Sequence, residues 1–355
     1  MKVLITGNMG YIGPMVVQHL RQSRPEATLL GFDIGYFAGC LTGARLLPEC
    51  RLDSQFFGDV RNFPASLLQG VDAIVYLAAI SNDPMGNVFE AVTLDINYRA
   101  AIDLAKKAKT QGVRSFVFAS SCSVYGYAAE GARHEESSVD PLTAYARSKV
   151  YAERDLAPLA DSNFNITCLR FATACGMSDR LRLDLVVNDF VASAVAAKKI
   201  TILSDGTPWR PIVHIEDIGR AFLAVLHAPL DLIWNEAFNV GRSEENYRIS
   251  ELAEIAQETV PGCRIEYAKD AGPDKRCYRV DCSKLARTLP EFKPQWDARR
   301  GAQQLYEAYQ RFGLHLEDFE GPSYKRIDHI KQLMSTGRLD ASLCWREREV
   351  AVALA

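Results

Sequence analysis

Long apolar runs are missing from this sequence. No stretch would cross a bilayer as a helix, so no membrane anchoring is expected. Charge of one sign is missing too: 41 basic residues against 44 acidic ones leave a net charge of −3, which argues against a nucleic-acid binder. There is no Cys-x-x-Cys pair; the nine cysteines (40, 50, 122, 168, 175, 263, 277, 282 and 344) are scattered and odd in number. The six histidines do not cluster either, so no metal site is expected, and reduced thiols in a cytoplasm suit the pattern better than a disulfide framework. What is present is an ordinary globular composition, 48% hydrophobic and 24% charged. Its 355 residues suffice for a large core and two domains sharing an interface.

The most informative stretch is the first. Lys2 to Thr6 is apolar and β-branched and stops at Gly7, which predicts a short buried strand. Glycines fall at 7, 10 and 13, followed by an apolar helical pattern through Ile12, Val16, Val17 and Leu20. Pro14 suits a first helical turn, where a missing N–H costs nothing. A strand, a glycine turn and a helix start present free backbone N–H groups to an anion and let the main chain approach a pyrophosphate. Glycines at this spacing also occur in bland turns. The next predicted strand, Thr28 to Asp33, strengthens the first reading, because its carboxylate falls twenty residues after Gly13, where a ribose hydroxyl needs an acceptor. The alternative for Asp33 is an ordinary turn residue. An acid there, with no Arg close behind, favours NAD over NADP.

Gln55 to Val60 predicts a third strand, with Asp59 at its exit; Asp59 and Val60 either hold an adenine or Asp59 caps a helix. Val71 to Ala79 predicts a fourth, covered on both faces, whose small Ala78 and Ala79 leave room for a dinucleotide to cross the sheet edge. One long helix is expected over about 86–111, with apolar Phe89, Val92, Leu94, Ile96 and Leu104. Asn97 lies within it and either bridges strand ends or supports a catalytic water. Ser115 to Ser121 predicts a fifth strand ending in hydroxyls. The repeated β-α-β order predicts an α/β fold with a doubly wound parallel sheet, whose ligands sit beyond the carboxyl ends of the strands.

Two pieces carry chemistry: Ser120-Ser-Cys-Ser-Val-Tyr-Gly126, and Tyr145-Ala-Arg-Ser-Lys149 opening a helix. Tyr145 and Lys149 share a helix face. A phenol with a pKa near 10 is a poor base at neutral pH, and a nearby ammonium favours its phenolate. Such a Tyr can take a proton from a hydroxyl while hydride leaves the same carbon, with a Ser holding the oxygen in line. The plain alternative is a surface pair on an amphipathic helix.

Gly7-x-x-Gly10-x-x-Gly13, Asp33, Asp59-Val60, Leu77-Ala-Ala79, Asn97, Ser120-Ser121 with Val124-Tyr125-Gly126, and Tyr145-x-x-x-Lys149 together resemble the extended short-chain dehydrogenase/reductases, the NAD-dependent epimerase/dehydratase group acting on nucleotide sugars. The resemblance reaches about residue 290 and is specific as a set. It implies a Rossmann domain over 1–170 and about 211–241, and a smaller, discontinuous α/β substrate lobe over about 171–210 and 242–345. It implies NAD, held by Gly7, Gly10, Tyr11, Ile12, Gly13, Asp33, Asp59, Val60, Leu77, Ala78, Ala79, Asn97, Tyr145, Lys149 and Phe171. Ser121, Tyr145 and Lys149 would be catalytic. A nucleotide-diphosphate sugar would meet Ser81, Ser121, Cys122, Ser123, Thr173, Asn188, Arg210 and Arg276, with Arg279 an alternative to Arg276. Thr173 stands where Asn is usual. An arginine fork suits a diphosphate, and a surface salt bridge is the other reading. A homodimer through the stretches around 86–111 and 144–160 is expected; a concentration-independent monomer mass in sedimentation would refute it.

His214 reads as a packed strand residue, Asp217 as the cap of a helix beginning at Ile218, and Glu130, Glu135 and Glu136 as a solvated loop. Residues 300–345 are helical in pattern, with an amphipathic helix from Tyr324 to Met334. The 4,6-dehydratases put an Asp-Glu pair directly after the catalytic Ser/Thr, and here Cys122 and Ser123 stand there. A nucleotide-sugar 4-epimerase is therefore expected, ahead of a 4-ketoreductase of nucleotide 4-keto-6-deoxy sugars and then a 4,6-dehydratase. Related folds also serve as dinucleotide sensors without turnover, but those usually lose the Tyr or Lys.

Overall fold

A computed structural model of the chain describes residues 1–272 and 276–346, apart from the side chains of residues 129, 130 and 270. The opening apolar runs become β1 (Lys2–Thr6), β2 (Thr28–Asp33), β3 (Ser54–Phe57), β4 (Ala73–Tyr76) and β5 (Ser115–Ser121). β4 ends earlier than its apolar run because Leu77 and Ala78 pass directly over the glycine turn: a Cβ on Gly7 would lie 2.5 Å from the Ala78 nitrogen. Six further strands lie mainly at the edge of the sheet or beyond it: β6 (Tyr127–Arg133), β7 (Asn165–Phe171), β8 (Thr173–Cys175), β9 (Lys199–Ser204), β10 (Trp209–His214) and β11 (Glu236–Val240). They are followed by β12 (Asn246–Arg248), β13 (Arg264–Gly272) and β14 (Cys277–Val280).

The main sheet has seven strands in the order β3-β2-β1-β4-β5-β7-β11, every neighbouring pair parallel. The chain winds outward from β1 through β2 and β3, then restarts on the other side at β4, so the crevice between β1 and β4 is the switch point where such sheets bind ligands. Successive β1 residues feed opposite faces. Leu4 joins Leu30, Ile74, Phe116 and Phe118 in one core, while Val3 and Ile5 join Val75, Val117 and Leu169 in the other. At about 1.5–3 kcal/mol for each fully buried large apolar side chain, these two layers hold the sheet rigid beneath the site.

The helices that matter for the site are α1 (Gly13–Ser23), α2 (Asp83–Val88), α3 (Glu90–Leu94), α4 (Ala100–Thr110), α5 (Ala144–Leu156), α6 (Val186–Ala197) and α7 (Ile215–His227). The single helix expected over 86–111 is thus three, broken at Phe89 and joined by a π turn at Asp95–Arg99. A third core, with Leu181, Leu183, Val191, Leu252 and Leu305, belongs to the smaller lobe. Two segments join the sheet and the lobe. β10 pairs with β8 and β12 outside the main sheet. The helix expected from Tyr324 to Met334 forms over Arg326–Ser335 and packs Ile330 and Leu333 into the main-sheet core. Among the described residues no helix is long and apolar enough to cross a membrane.

The side chain of Glu130 lies outside the described residues, although its backbone is in β6 and not in a loop. Glu135 and Glu136 do lie in a turn, Glu136 exposed, but Glu135 is half-buried and accepts the Asn239 N–H at 2.7 Å. His214 is buried and stacked on Trp296, with its Nδ1 accepting the Glu216 N–H, so it caps α7 in place of Asp217. Asp217 accepts the Gln295 and Trp296 N–H groups instead.

Candidate active site

A cavity of about 600 Å³ runs along the carboxyl ends of β1, β2, β4 and β5 and under the smaller lobe. This is an ordinary size for a small-molecule site. Its floor is the glycine turn. Gly7 has φ +72°, where a side chain is strained, and a Cβ on Gly13 would meet the Asn8 carbonyl at 2.1 Å. No side chain caps the start of α1; Pro14 has no N–H and Met15 donates to the Ile12 carbonyl, which leaves the Ile12 and Gly13 N–H groups for an anion at the cavity wall. The turn, the carboxylate and the small Ala78 and Ala79 fit a dinucleotide.

Every residue expected to hold the cofactor lines this cavity except Asn97. Asp33 does so while its buried carboxylate accepts the N–H of Met9 at 2.9 Å and of Gly35 at 2.7 Å, tying β2 to the glycine turn. Burial raises its pKa, and those two donors pull it back. Asp59 caps the short turn Val60–Asn62, accepting the Arg61 N–H, and also pairs with the Arg61 guanidinium. Of its two readings, the helix cap is therefore the one its hydrogen bonds realise. Asn97 takes the bridging role: fully buried, it accepts the Ile80 N–H at 2.8 Å and donates to the Ile80 carbonyl and to Ser148 Oγ. The π turn aims it there, linking the end of β4 to α5.

α5 begins at Ala144, capped by Thr143, and brings Tyr145 and Lys149 to the cavity wall. α2 comes close enough that a Cβ on Gly86 would sit 2.8 Å from Tyr145 Cβ. Lys149 is 2% exposed; its Nζ donates to the Ala119 carbonyl at 2.7 Å and lies 5.7 Å from the Tyr145 ring centre. Burial lowers its pKa to about 7, with Glu153 opposing the fall. Burial raises the Tyr145 phenol to about 12, and the Ser121 hydroxyl works against that rise. Ser121 closes β5 on the same wall and accepts the Ser123 N–H at 3.1 Å.

Among the expected substrate residues, Ser81, Ser121, Ser123, Thr173, Arg210 and Arg276 line the cavity. The buried Ser123 hydroxyl has no protein partner among the described residues. Arg210 donates to the Arg276 carbonyl, and Arg276 pairs with Asp83 at 3.0 Å. Arg279, three residues further on in β14, is exposed and stacks on Trp209. Cys122 and Asn188 do not reach the cavity. The Cys122 thiol is buried and donates to the Arg170 carbonyl, and desolvation holds it neutral. Asn188 is buried in a network with the Tyr11 hydroxyl, the Gly176 N–H and the Arg182 carbonyl, so it shapes the wall from behind.

Arg182 escaped the sequence reading. Its guanidinium donates to Ser81 Oγ at 3.0 Å and pairs with Asp184, and both charged residues line the cavity. The signal was the alternation Arg180-Leu-Arg-Leu-Asp184: Leu181 and Leu183 point into the lobe core, which turns the charges the other way.

A doubly wound sheet with a glycine-turn helix at its switch point, and a Tyr–Lys helix on the same cavity, defines a dinucleotide-dependent enzyme of the short-chain dehydrogenase/reductase type. More particularly, the chain belongs to the NAD dependent epimerase/dehydratase family, whose model matches residues 3–241, and NAD is the cofactor of that family. It is 33% identical over 257 residues to the uncharacterized UDP-glucose epimerase YtcB of Bacillus subtilis (strain 168), covering 69% of this chain and 78% of that one. It is 27% identical over 318 residues to the UDP-glucose 4-epimerase of Lactobacillus helveticus, covering 83% and 92%. In fold it is similar to MoeE5 solved with UDP-glucuronic acid and NAD, with a TM-score of 0.76, 24% identity, and coverage of 88% of this chain and 99% of that one. The UDP-glucuronic acid 4-epimerase from Bacillus cereus gives 0.75, 24%, 88% and 99%.

Proposed function

We propose that the protein is a nucleotide-sugar 4-epimerase that works by oxidising C4 transiently and returning the hydride to the other face. The observation that carries this reading is the composition of one wall: Ser121, Tyr145 and Lys149 gather there, while Cys122, at the position where a dehydratase needs a carboxyl, is turned away and held neutral. Redox at one hydroxyl needs a proton acceptor and an oriented oxygen; elimination of water needs a further acid and base. The relatives named UDP-glucose 4-epimerase support the same choice.

NAD supplies the hydride acceptor and donor. Tyr145 takes the C4 hydroxyl proton and later gives it back, Ser121 holds the oxygen, and Lys149 supplies the cation that makes the phenol a usable base. Arg210 and Arg276 hold the diphosphate by charge-assisted hydrogen bonds. Asp33, at the end of β2, would hold the adenosine ribose. The buried wall excludes water from the keto intermediate.

The test is incubation of the purified protein with UDP-, GDP-, CDP- and dTDP-sugars, with products read by NMR. The expected product is a C4 epimer formed without net NADH. A 4-keto-6-deoxy product, or stoichiometric use of reduced cofactor, would replace the epimerase reading with dehydratase or ketoreductase.

A further inference from the structure

The family match stops at residue 241, but the cavity wall does not. Arg326 opens the C-terminal helix and lines the cavity while only 2% exposed. Its guanidinium lies over the Phe37 ring, 4.1 Å from the centre, and Nη2 donates to the Arg180 carbonyl at 3.0 Å. Nη1 is buried without a hydrogen-bond partner among the described residues. Asp184, the carboxylate whose charge acts on Arg326, is already engaged with Arg182. A buried cationic donor lacking an acceptor is costly, and natural proteins keep one where a ligand completes it. Burial and the like charge of Arg182 lower its pKa to about 10, as a missing anion would leave it.

The surroundings point to the dinucleotide. Phe37 follows closely on Asp33, and both line the cavity. The rest of the C-terminal segment clasps the same stretch: His329 Nε2 pairs with the Tyr36 carbonyl at 2.9 Å, and Trp345 Nε1 donates to the Ile34 carbonyl at 2.7 Å. The Tyr36 hydroxyl donates to the Leu343 carbonyl. Arg210 and Arg276 meet elsewhere on the wall, beside Asp83.

We propose that Arg326 is a cofactor-binding residue: its guanidinium donates to a phosphate oxygen of the dinucleotide, and the segment 326–345 clasps the adenosine end of that groove. This rests on the family's cofactor and not on the epimerase reading. The diphosphate of a nucleotide sugar offers the same chemistry, so the ligands tested separate the two.

Protein stripped of nucleotide is titrated calorimetrically with NAD, ADP-ribose and UDP, comparing the unaltered chain with Arg326→Gln and Arg326→Lys. In Arg326→Gln the Kd for NAD and for ADP-ribose should rise about 10- to 100-fold, the loss of one charge-assisted bond, with UDP changed less than about twofold. Arg326→Lys should recover part of the loss. NAD and ADP-ribose affinities within about twofold of the unaltered chain would overturn the proposal, whether UDP weakens or not. If Arg326→Gln does not fold, hydrogen exchange on the unaltered chain decides. ADP-ribose should slow exchange preferentially in residues 326–345 and UDP should not; no protection there overturns the proposal.

Discussion

At the residue scale, the proposed chemistry turns on the proton that Tyr145 carries. With its phenol near 12, ionising it at pH 7 would cost about 7 kcal/mol, so the resting side chain is neutral. In the proposed reaction it becomes a base only as the substrate proton moves and a cation sits beside it. Tyr145→Phe should lower turnover about 10²- to 10⁴-fold while the purified protein keeps its NAD, as measured by nucleotide extraction; a dinucleotide sensor would keep its behaviour. Lys149 gives a second, thermodynamic prediction. Its pKa falls from the ordinary 10.5 to about 7 on folding, so between those values the unfolded chain binds the extra proton. The penalty is fully present below about pH 7 and fades as pH rises toward 10.5. Urea unfolding at pH 7, 8 and 9 should show stability rising by up to about 1.4 kcal/mol per pH unit from this group, and Lys149→Met should remove that slope. An unchanged slope would mean the lysine is not buried in the state that unfolds.

At the scale of elements, the site depends on how α2, the π turn and α5 meet. Gly86 lets α2 approach Tyr145, where a Cβ would collide at 2.8 Å with the Tyr145 nitrogen and Cβ. Gly86→Ala should push α5 outward, costing about 1–3 kcal/mol in unfolding free energy and a larger share of kcat than of cofactor affinity. Asn97→Ala strips the Ile80 N–H and carbonyl of their partner and should cost about 2 kcal/mol or more by denaturation. The sequence showed that Asn97 was buried and left its role open. Periodicity could not show the break at Phe89 or the π turn, because the apolar spacing continues through both and only contact with α5 requires them. The strands and the glycine turn were legible because a parallel strand buried on both faces must be apolar throughout. Asp59 and Asp33 were seen as ligand groups or turn residues, and their hydrogen bonds settle only the local half of that choice.

At the scale of the whole molecule, the cavity joins segments far apart in sequence, from Gly7 to Arg326. That distance is why Arg182 and Arg326 went unnoticed while the Tyr–Lys helix stood out: a motif advertises itself locally, whereas a wall residue is defined by what folds back against it. Asn188 and Cys122 show the converse, polar groups at suggestive positions that packing directs elsewhere. Arg210 and Arg276 come from the smaller lobe and Asp83 from the main-sheet side, so substrate should draw the two together. Arg210→Ala and Arg276→Ala should each raise KM for the nucleotide sugar about tenfold or more, with retained NAD unchanged. Cofactor loss in either variant would move that arginine to the dinucleotide end.

The clasp made by Trp345, Leu343 and His329 on residues 34–37 also has a temporal meaning. A ribosome delivers the glycine turn before the clasp. A nascent chain halted before residue 326 would already own its glycine turn but not the latch over residues 34–37.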